Sequence, residues 1–206
     1  MKELRDRQSA GAGPAPLAGP VAGGAMYGMI HQAARDFALS RLGPEQWEGL
    51  LETGGLSGRQ FIGVEYYSDE ETMRIVSLIG DRLGLDMTET FRQLGGAWVD
   101  FAGASTYGRV LQMAGDDLET FLSNLDRMHA SIKSNMPKAA LPGFEVVSSG
   151  GDAIRVQYRS ERRGLAPFVQ GILASVAQRF GETLDVSYVE TEGGALFTLA
   201  RRRAAA

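Results

Sequence analysis

The sequence predicts an α+β fold: an N-terminal helical lobe, then an α/β lobe with a four-stranded antiparallel sheet and one crossing helix. Three observations predict it. From Met26 to Ile132 apolar residues recur at three- and four-residue spacings, the period of a helix with one buried face. Beyond "NMPKAALPG" the pattern changes to β-rich runs paired around Gly150–Gly151 and around Gly193–Gly194. Between the two pairs lies a single helical segment, so the order reads ββαββ.

The elements follow in order. Residues 10–25 are nearly all Ala, Gly and Pro, too little apolar area to offset the entropy of ordering them. Residues 1–25 are therefore expected to be a disordered leader or an over-extended start, with Met26 a candidate first residue. They make a poor signal peptide, because prolines break the weakly apolar stretch. "MYGMIHQAARDFALSRL" sets Met26, Ile30, Ala33 and Phe37 at helical spacing. "GPEQWEGLLETG" is a short helix opening at Pro44 and closing at Gly54–Gly55. "SDEETMRIVSLIGDRLGL" starts with Ser68 as N-cap and acids in the first turn. "DMTETFRQLGGAWVDFA" and "YGRVLQMAG" are helical too. After Asp116, Leu118, Leu122, Leu125, His129 and Ile132 fall on one face of a helix. "FEVVSSGGDAIRVQYRS" and "TLDVSYVETEGGALFTLARR" are the strand pairs, and "GLAPFVQGILASVAQRFG" is the crossing helix.

Composition narrows the function. The chain has 206 residues, a formal charge of −4, no Cys and two His. The acidic balance argues against nucleic acid as a partner. No apolar run approaches the roughly 18–20 residues that span a bilayer. Without Cys there are no disulfides and no thiolate ligands, which fits a reducing, cytoplasmic setting. "RRR" at 201–203 reads as a solvated tail.

Two constellations remain. His129 sits on the apolar stripe of its helix. It is either a core histidine satisfied by backbone groups or a metal ligand. The other histidine, His31, is distant in the chain, so a protein-only zinc site would lean on carboxylates, which is unusual. A haem needs only one axial imidazole, since the porphyrin brings four nitrogens. "YRSER" is the second. Tyr158, Ser160 and Arg162 stand at i, i+2 and i+4, one face of a strand. They form either an exposed polar face or a donor array whose guanidinium fork suits carboxylates. The two haem propionates would account for both constellations together.

The sequence resembles the haem-nitric oxide/oxygen-binding (H-NOX) domain, the sensor module of soluble guanylate cyclase and of bacterial signalling proteins. The matching stretches, in order, are "MYGMIHQA" (26–33), "GPEQWE" (43–48), "LGGAWVDF" (94–101), "YGRVL" (107–111), "FLSNLDRMH" (121–129), "LPGF" (141–144), "YRSER" (158–162) and "RGLAPFVQGIL" (163–173). The resemblance implies a haem-binding domain over residues 26–203, with a helical lobe to about residue 90, proximal helices and sheet from about 91 to 203, and haem b (iron protoporphyrin IX) between. Residues 204–206 are then a tail. It implies His129 as the proximal iron ligand and Tyr158, Ser160 and Arg162 as the propionate-binding triad. Ile30 and Pro142 match residues that press on the porphyrin and bend it. Trp98 and Phe168 fall in the distal pocket, and Asp69 where a carboxylate buttresses the arginine. His31 matches no ligand position and is expected to be structural or exposed.

Two departures from the family pattern matter. With no Cys the chain cannot carry the cysteine-ligated zinc of some members. "LAPFVQ" lacks the distal tyrosine that hydrogen-bonds O2 in others. The expected function is thus a non-enzymatic sensor of NO and CO at a ferrous haem, acting as a monomer. The chain ends soon after the last strand, so its signal is expected to pass to a separate protein, a histidine kinase or a cyclic-di-GMP enzyme. The rival expectations are an O2 carrier or store, and a peroxidase-type haem enzyme, which would want a distal acid/base.

Overall fold

A computed structural model describes residues 25–106, 108–135 and 141–201. The expected leader and the 204–206 tail lie outside the described residues. The elements are β1 (Ala25–Tyr27), α1 (Gly28–Leu42), α2 (Pro44–Thr53), β2 (Tyr66–Ser68), α3 (Asp69–Leu83), α4 (Met87–Ala104) and α5 (Gly108–Gln112). They continue with α6 (Leu118–Ser123), α7 (Leu125–Asn135), β3 (Gly143–Gly150), β4 (Ala153–Arg159), α8 (Ala166–Arg179), β5 (Leu184–Thr191) and β6 (Gly194–Arg201).

The helix starts are capped as their residues predict. Ser68 Oγ accepts from the Glu71 N–H at 3.1 Å, and Asp86 Oδ1 accepts from the Glu89 N–H at 2.7 Å. Each such cap contributes about 1 kcal/mol. Two sequence expectations need correction. Met26 is not helical: it pairs with Tyr67 in the β1–β2 ladder, and α1 starts only at Gly28. The stripe from Leu118 to Ile132 is carried by two helices rather than one, parted at Asn124. The Asn124 side chain donates to the Ala114 carbonyl at 2.7 Å, which pins the break to the preceding loop. Asn124 still accepts from the Met128 N–H at 2.9 Å, so the stripe stays in register across the junction.

The ββαββ order is observed. The sheet runs β3-β4-β6-β5, antiparallel throughout, with α8 packed on it. The described residues form two apolar cores. One gathers Phe37, Trp47, Leu50, Ile75 and Ile79 among α1–α4; the other gathers Leu118, Leu122, Val156, Leu173 and Phe197 beneath the sheet. Helix α4 belongs to both, with Phe91 and Leu94 in the first and Val99 in the second.

Helices α4 and α8 cross in backbone contact. A Cβ at Gly95 would lie 2.0 Å from the Phe168 carbonyl oxygen, and one at Gly171 would lie 1.9 Å from that of Arg92. Only glycine fits at both positions, since no real Cβ tolerates such a distance to backbone. Trp98 on α4 and Phe168 on α8 both line one cavity.

Candidate functional site

A cavity of about 670 Å³ lies between the two cores. Every residue singled out from the sequence as a cofactor contact lines it: His129, Tyr158, Ser160, Arg162, Ile30, Pro142, Trp98 and Phe168. The walls are mostly apolar, with Met73 and Val76 from α3, Phe91 and Leu94 from α4, and Leu141 beside Pro142.

His129 is half-buried on α7 and lines the cavity. Its Nδ1 lies 2.9 Å from the Pro142 carbonyl oxygen. A carbonyl only accepts, so Nδ1 carries the proton and Nε2 keeps its lone pair. Burial lowers the imidazole pKa below its ordinary value, against the opposing pull of the Pro142 carbonyl and the Asp126 charge. The ring is therefore neutral at neutral pH, the form that binds metal. One turn earlier, Asp126 Oδ1 accepts from the Phe144 N–H at 2.5 Å. Helix α7 thus grips the Leu141–Phe144 segment at two points, one of them through the histidine ring. Sequence reasoning missed the Asp126 contact; a backbone partner 18 residues away leaves no side-chain pattern to read.

Tyr158, Ser160 and Arg162 do meet at the cavity, but strand alternation is not the reason. Strand β4 stops at Arg159, where the Ser160 N–H turns to the Gly193 carbonyl at 2.9 Å. Ser160 Oγ then accepts from the Arg162 N–H at 3.0 Å, a serine turn that folds the arginine back to its neighbours. Arg162 Nε sits 3.2 Å from both oxygens of Asp69, the first residue of α3. Both partners are nearly buried, with 14% and 10% of their side-chain surface exposed. Tyr158 is buried, and burial raises its phenol pKa, against a hydrogen bond with Ser160 and the nearby Arg162 charge. The phenol therefore stays protonated and able to donate. Arg159 points elsewhere and pairs with Glu145 at 2.7 Å on the surface.

His31 is buried but lies behind the cavity wall. Its Nε2 is 3.1 Å from Thr72 Oγ1, and its ring stacks on Phe61 at 5.0 Å and tilts against Tyr67 at 4.6 Å. Of the two alternatives expected for it, structural and exposed, it is structural. Burial lowers its pKa.

These features test what the site can hold. Among the described residues no cluster of three or more His, Cys, Asp or Glu could hold a metal ion. A metal at His129 must bring its own ligands. The cavity is of the size that takes a cofactor. A flat apolar macrocycle with carboxylates on one edge matches the Met, Leu and Phe walls, the neutral imidazole and the Tyr–Ser–Arg corner. With no Cys in the chain, such a group cannot be held through thioether links. The fold and site together define a haem-binding domain of b type.

Residues 27–188 match the haem-NO-binding (HNOB) family, and the chain belongs to it. It is 29% identical over 168 residues to soluble guanylate cyclase gcy-35 of Caenorhabditis elegans, covering 80% of this chain and 24% of that protein. It is 21% identical over 155 residues to soluble guanylate cyclase 89Db of Drosophila melanogaster, covering 75% of this chain and 23% of that one. The chain thus spans about a quarter of the length of these relatives. Its fold is that of an H-NOX protein from S. oneidensis solved in the Fe(II)NO ligation state, with TM-score 0.76 and 18% identity, covering 86% of this chain and 100% of the other. An oxygen-binding H-NOX domain in its oxygen complex superposes with TM-score 0.70 at 21% identity, over 86% and 96% of the two chains. The chain is a haem-based gas-sensing domain, and no helix among the described residues is long and apolar enough to cross a membrane.

Proposed function

We propose that this protein senses NO, and also binds CO, at a ferrous haem held by His129, and that it forms no stable complex with O2. When bound, haem would supply an iron that takes a diatomic gas. His129 presents Nε2 to the iron, with its ring oriented by the Pro142 carbonyl. Tyr158, Ser160 and Arg162 would donate to the two carboxylates, and Asp69 holds Arg162 in place. Ile30 and Pro142 line the cavity, where they would press on the macrocycle. Any shift of the His129 ring is felt at α7 and at the Leu141–Phe144 segment, because the ring and Asp126 couple the two. That pair is the element through which ligand binding reaches the surface.

The observation that carries the selectivity is the chemistry around Phe168. Bound O2 carries partial negative charge and gains from a donor, whereas CO and NO depend on one far less. Phe168 and its neighbours Pro167 and Val169 have no side-chain donor. One observation favours a second reading: Trp98 lines the same cavity, and its indole N–H is a donor. A peroxidase has less support, since His31 is engaged by Thr72 behind the wall and does not reach the cavity. We place the protein in the cytoplasm as a non-catalytic monomer whose output passes to a histidine kinase or a cyclic-di-GMP enzyme. The cyclase activity of its relatives belongs to proteins about four times as long as the matched segment.

The test is to reduce the haem-loaded protein without oxygen and to admit CO, NO or air to separate samples. CO and NO should each change the visible spectrum, and air should give no stable two-band oxy spectrum. A stable oxy spectrum would overturn the selectivity, and its loss in Trp98→Phe would identify the donor.

A further inference from the structure

We infer that Tyr27 and Tyr66 are an oxidation sink for the cavity, and that a peroxide reduced there joins their rings in a dityrosine cross-link. The supply of oxidant from the cavity rests on the haem reading given above; the placement of the two rings does not.

The β1–β2 ladder sets the pair. Tyr27 and Tyr66 are direct cross-strand partners, so their side chains leave the same face of the ladder. Their ring centroids are 4.4 Å apart with the planes inclined at 45°, and the two hydroxyls are hydrogen-bonded to each other. Dityrosine forms between the ring carbons next to the hydroxyls. With the hydroxyls in contact and the rings this close, those carbons lie side by side. The neighbouring Tyr67 is turned the other way. Its strand partner is Met26, its buried ring lies against His31 and Phe61, and its hydroxyl accepts from the Ile62 N–H at 2.8 Å.

The two rings stand in different surroundings. Tyr27 lines the cavity, whereas Tyr66 is 37% exposed. The pair therefore reaches from the cavity wall to solvent. A phenol that gives up an electron must also release its proton, and each hydroxyl here has the other beside it to accept one. Other oxidisable side chains on the wall include Met26, Met29, Met73 and Trp98. Oxidation of a methionine there makes an apolar wall polar. Oxidation of the tyrosine pair leaves the wall aromatic.

The step balances with hydrogen peroxide as the oxidant. Each phenol gives one electron and one proton. A carbon–carbon bond forms between the rings, and the hydrogen on each joined carbon moves to its own ring's oxygen, which restores both phenols. The peroxide takes up the two electrons and two protons, its O–O bond breaks, and it leaves as two waters. The event happens once per chain and is not a turnover. The new bond staples the start of α1, which carries Ile30, to the start of α3, which carries Asp69.

The test treats the ferric, haem-loaded protein with stoichiometric hydrogen peroxide, then digests it with trypsin for mass spectrometry. Dityrosine fluorescence should appear while the chain stays monomeric on a denaturing gel. The digest should hold a joined pair of peptides lighter by two hydrogens, with fragment ions placing the bond between Tyr27 and Tyr66. Tyr27→Phe and Tyr66→Phe should each abolish the bond and raise methionine sulfoxide at Met29 and Met73 severalfold. A second arm supplies the oxidant from outside: the protein as purified, photo-oxidised with a ruthenium complex and persulfate, should form the same bond. Its absence there would overturn the placement of the pair, as would a bond through Tyr67 or between two chains. A bond on photo-oxidation but none with peroxide, or unchanged sulfoxide in the two variants, would overturn the sink. Failure of the haem reading would show instead as a protein that binds no haem, and photo-oxidation would still decide the pair.

Discussion

The sharpest perturbation separates two arginines three residues apart. Arg162 pairs with Asp69 where only 14% and 10% of the two side chains are exposed, whereas Arg159 pairs with Glu145 at 60% and 53% exposure. Arg162→Ala strands a nearly buried carboxylate, and breaking a buried pair from one side costs roughly 3–5 kcal/mol. Arg159→Ala removes an exposed pair and should cost at most about 1 kcal/mol. Urea unfolding of the haem-free protein reads both values. The double variant Asp69→Ala/Arg162→Ala should be less destabilised than the sum of its single variants, by roughly 0.5–3 kcal/mol, because removing both charges leaves neither stranded. Haem retention supplies a second, independent axis. Losing a charged hydrogen bond to a propionate is worth about 1.5–3 kcal/mol, or roughly 10- to 150-fold in affinity. Arg162→Ala and the double variant should both lose haem faster to an excess of a competing haem-binding protein. Asp69→Ala, which keeps the guanidinium, should lose it more slowly than either. Equal haem loss from Arg159→Ala and Arg162→Ala would refute the assignment of Arg162 to the carboxylates.

Three further outcomes follow from the same geometry. Pro142→Ala should flatten the porphyrin by removing a wall contact beside His129, read as weaker out-of-plane bands in resonance Raman spectra; an unchanged pattern would count against a pressing role for Pro142. Phe168→Tyr should gain O2 affinity by about one to two decades, since a phenol–oxygen hydrogen bond in a dry pocket is worth on the order of 1–3 kcal/mol; an oxygen titration of the reduced variant checks it. The pKa of His31 is lowered in the folded state by burial. Below its unfolded value of about 6.5 the unfolded chain therefore binds the proton more readily, and stability falls as pH drops through that range. His31→Leu should flatten the change in unfolding free energy between about pH 7.5 and pH 5.5, and an equally steep change would show that other groups carry it.

Much of this architecture is legible in the sequence because its signals are local. Ser68 with three acids behind it marks the start of α3, and the Gly150–Gly151 and Gly193–Gly194 pairs mark the two hairpins. The site is legible in identity but not in construction. His129 stands out because it is one of two histidines on a chain without Cys. Its proton position depends on a carbonyl 13 residues away, and carbonyls leave no trace in side-chain type. Tyr158, Ser160 and Arg162 invite a strand reading by their spacing, yet the strand ends at Arg159 and a serine turn assembles them. The β1–β2 ladder is only three residues long on each side, too short for any periodicity to show. The close approach at Gly95 and Gly171 reads locally as two weak points in helices. Its purpose appears only when the carbonyls of Phe168 and Arg92 are seen to fill the missing Cβ positions.

The central claim is that His129 Nε2 holds the iron of a haem seated in this cavity. The most direct test is the resonance Raman spectrum of the reduced, haem-loaded protein beside that of His129→Gly purified with and without imidazole. The account predicts an iron–histidine stretching band in the natural protein. In the variant that band should be absent and haem should be lost, and added imidazole should restore haem binding, because the pocket itself is untouched. A variant that keeps its full haem complement and an unchanged iron–histidine band without imidazole would contradict it.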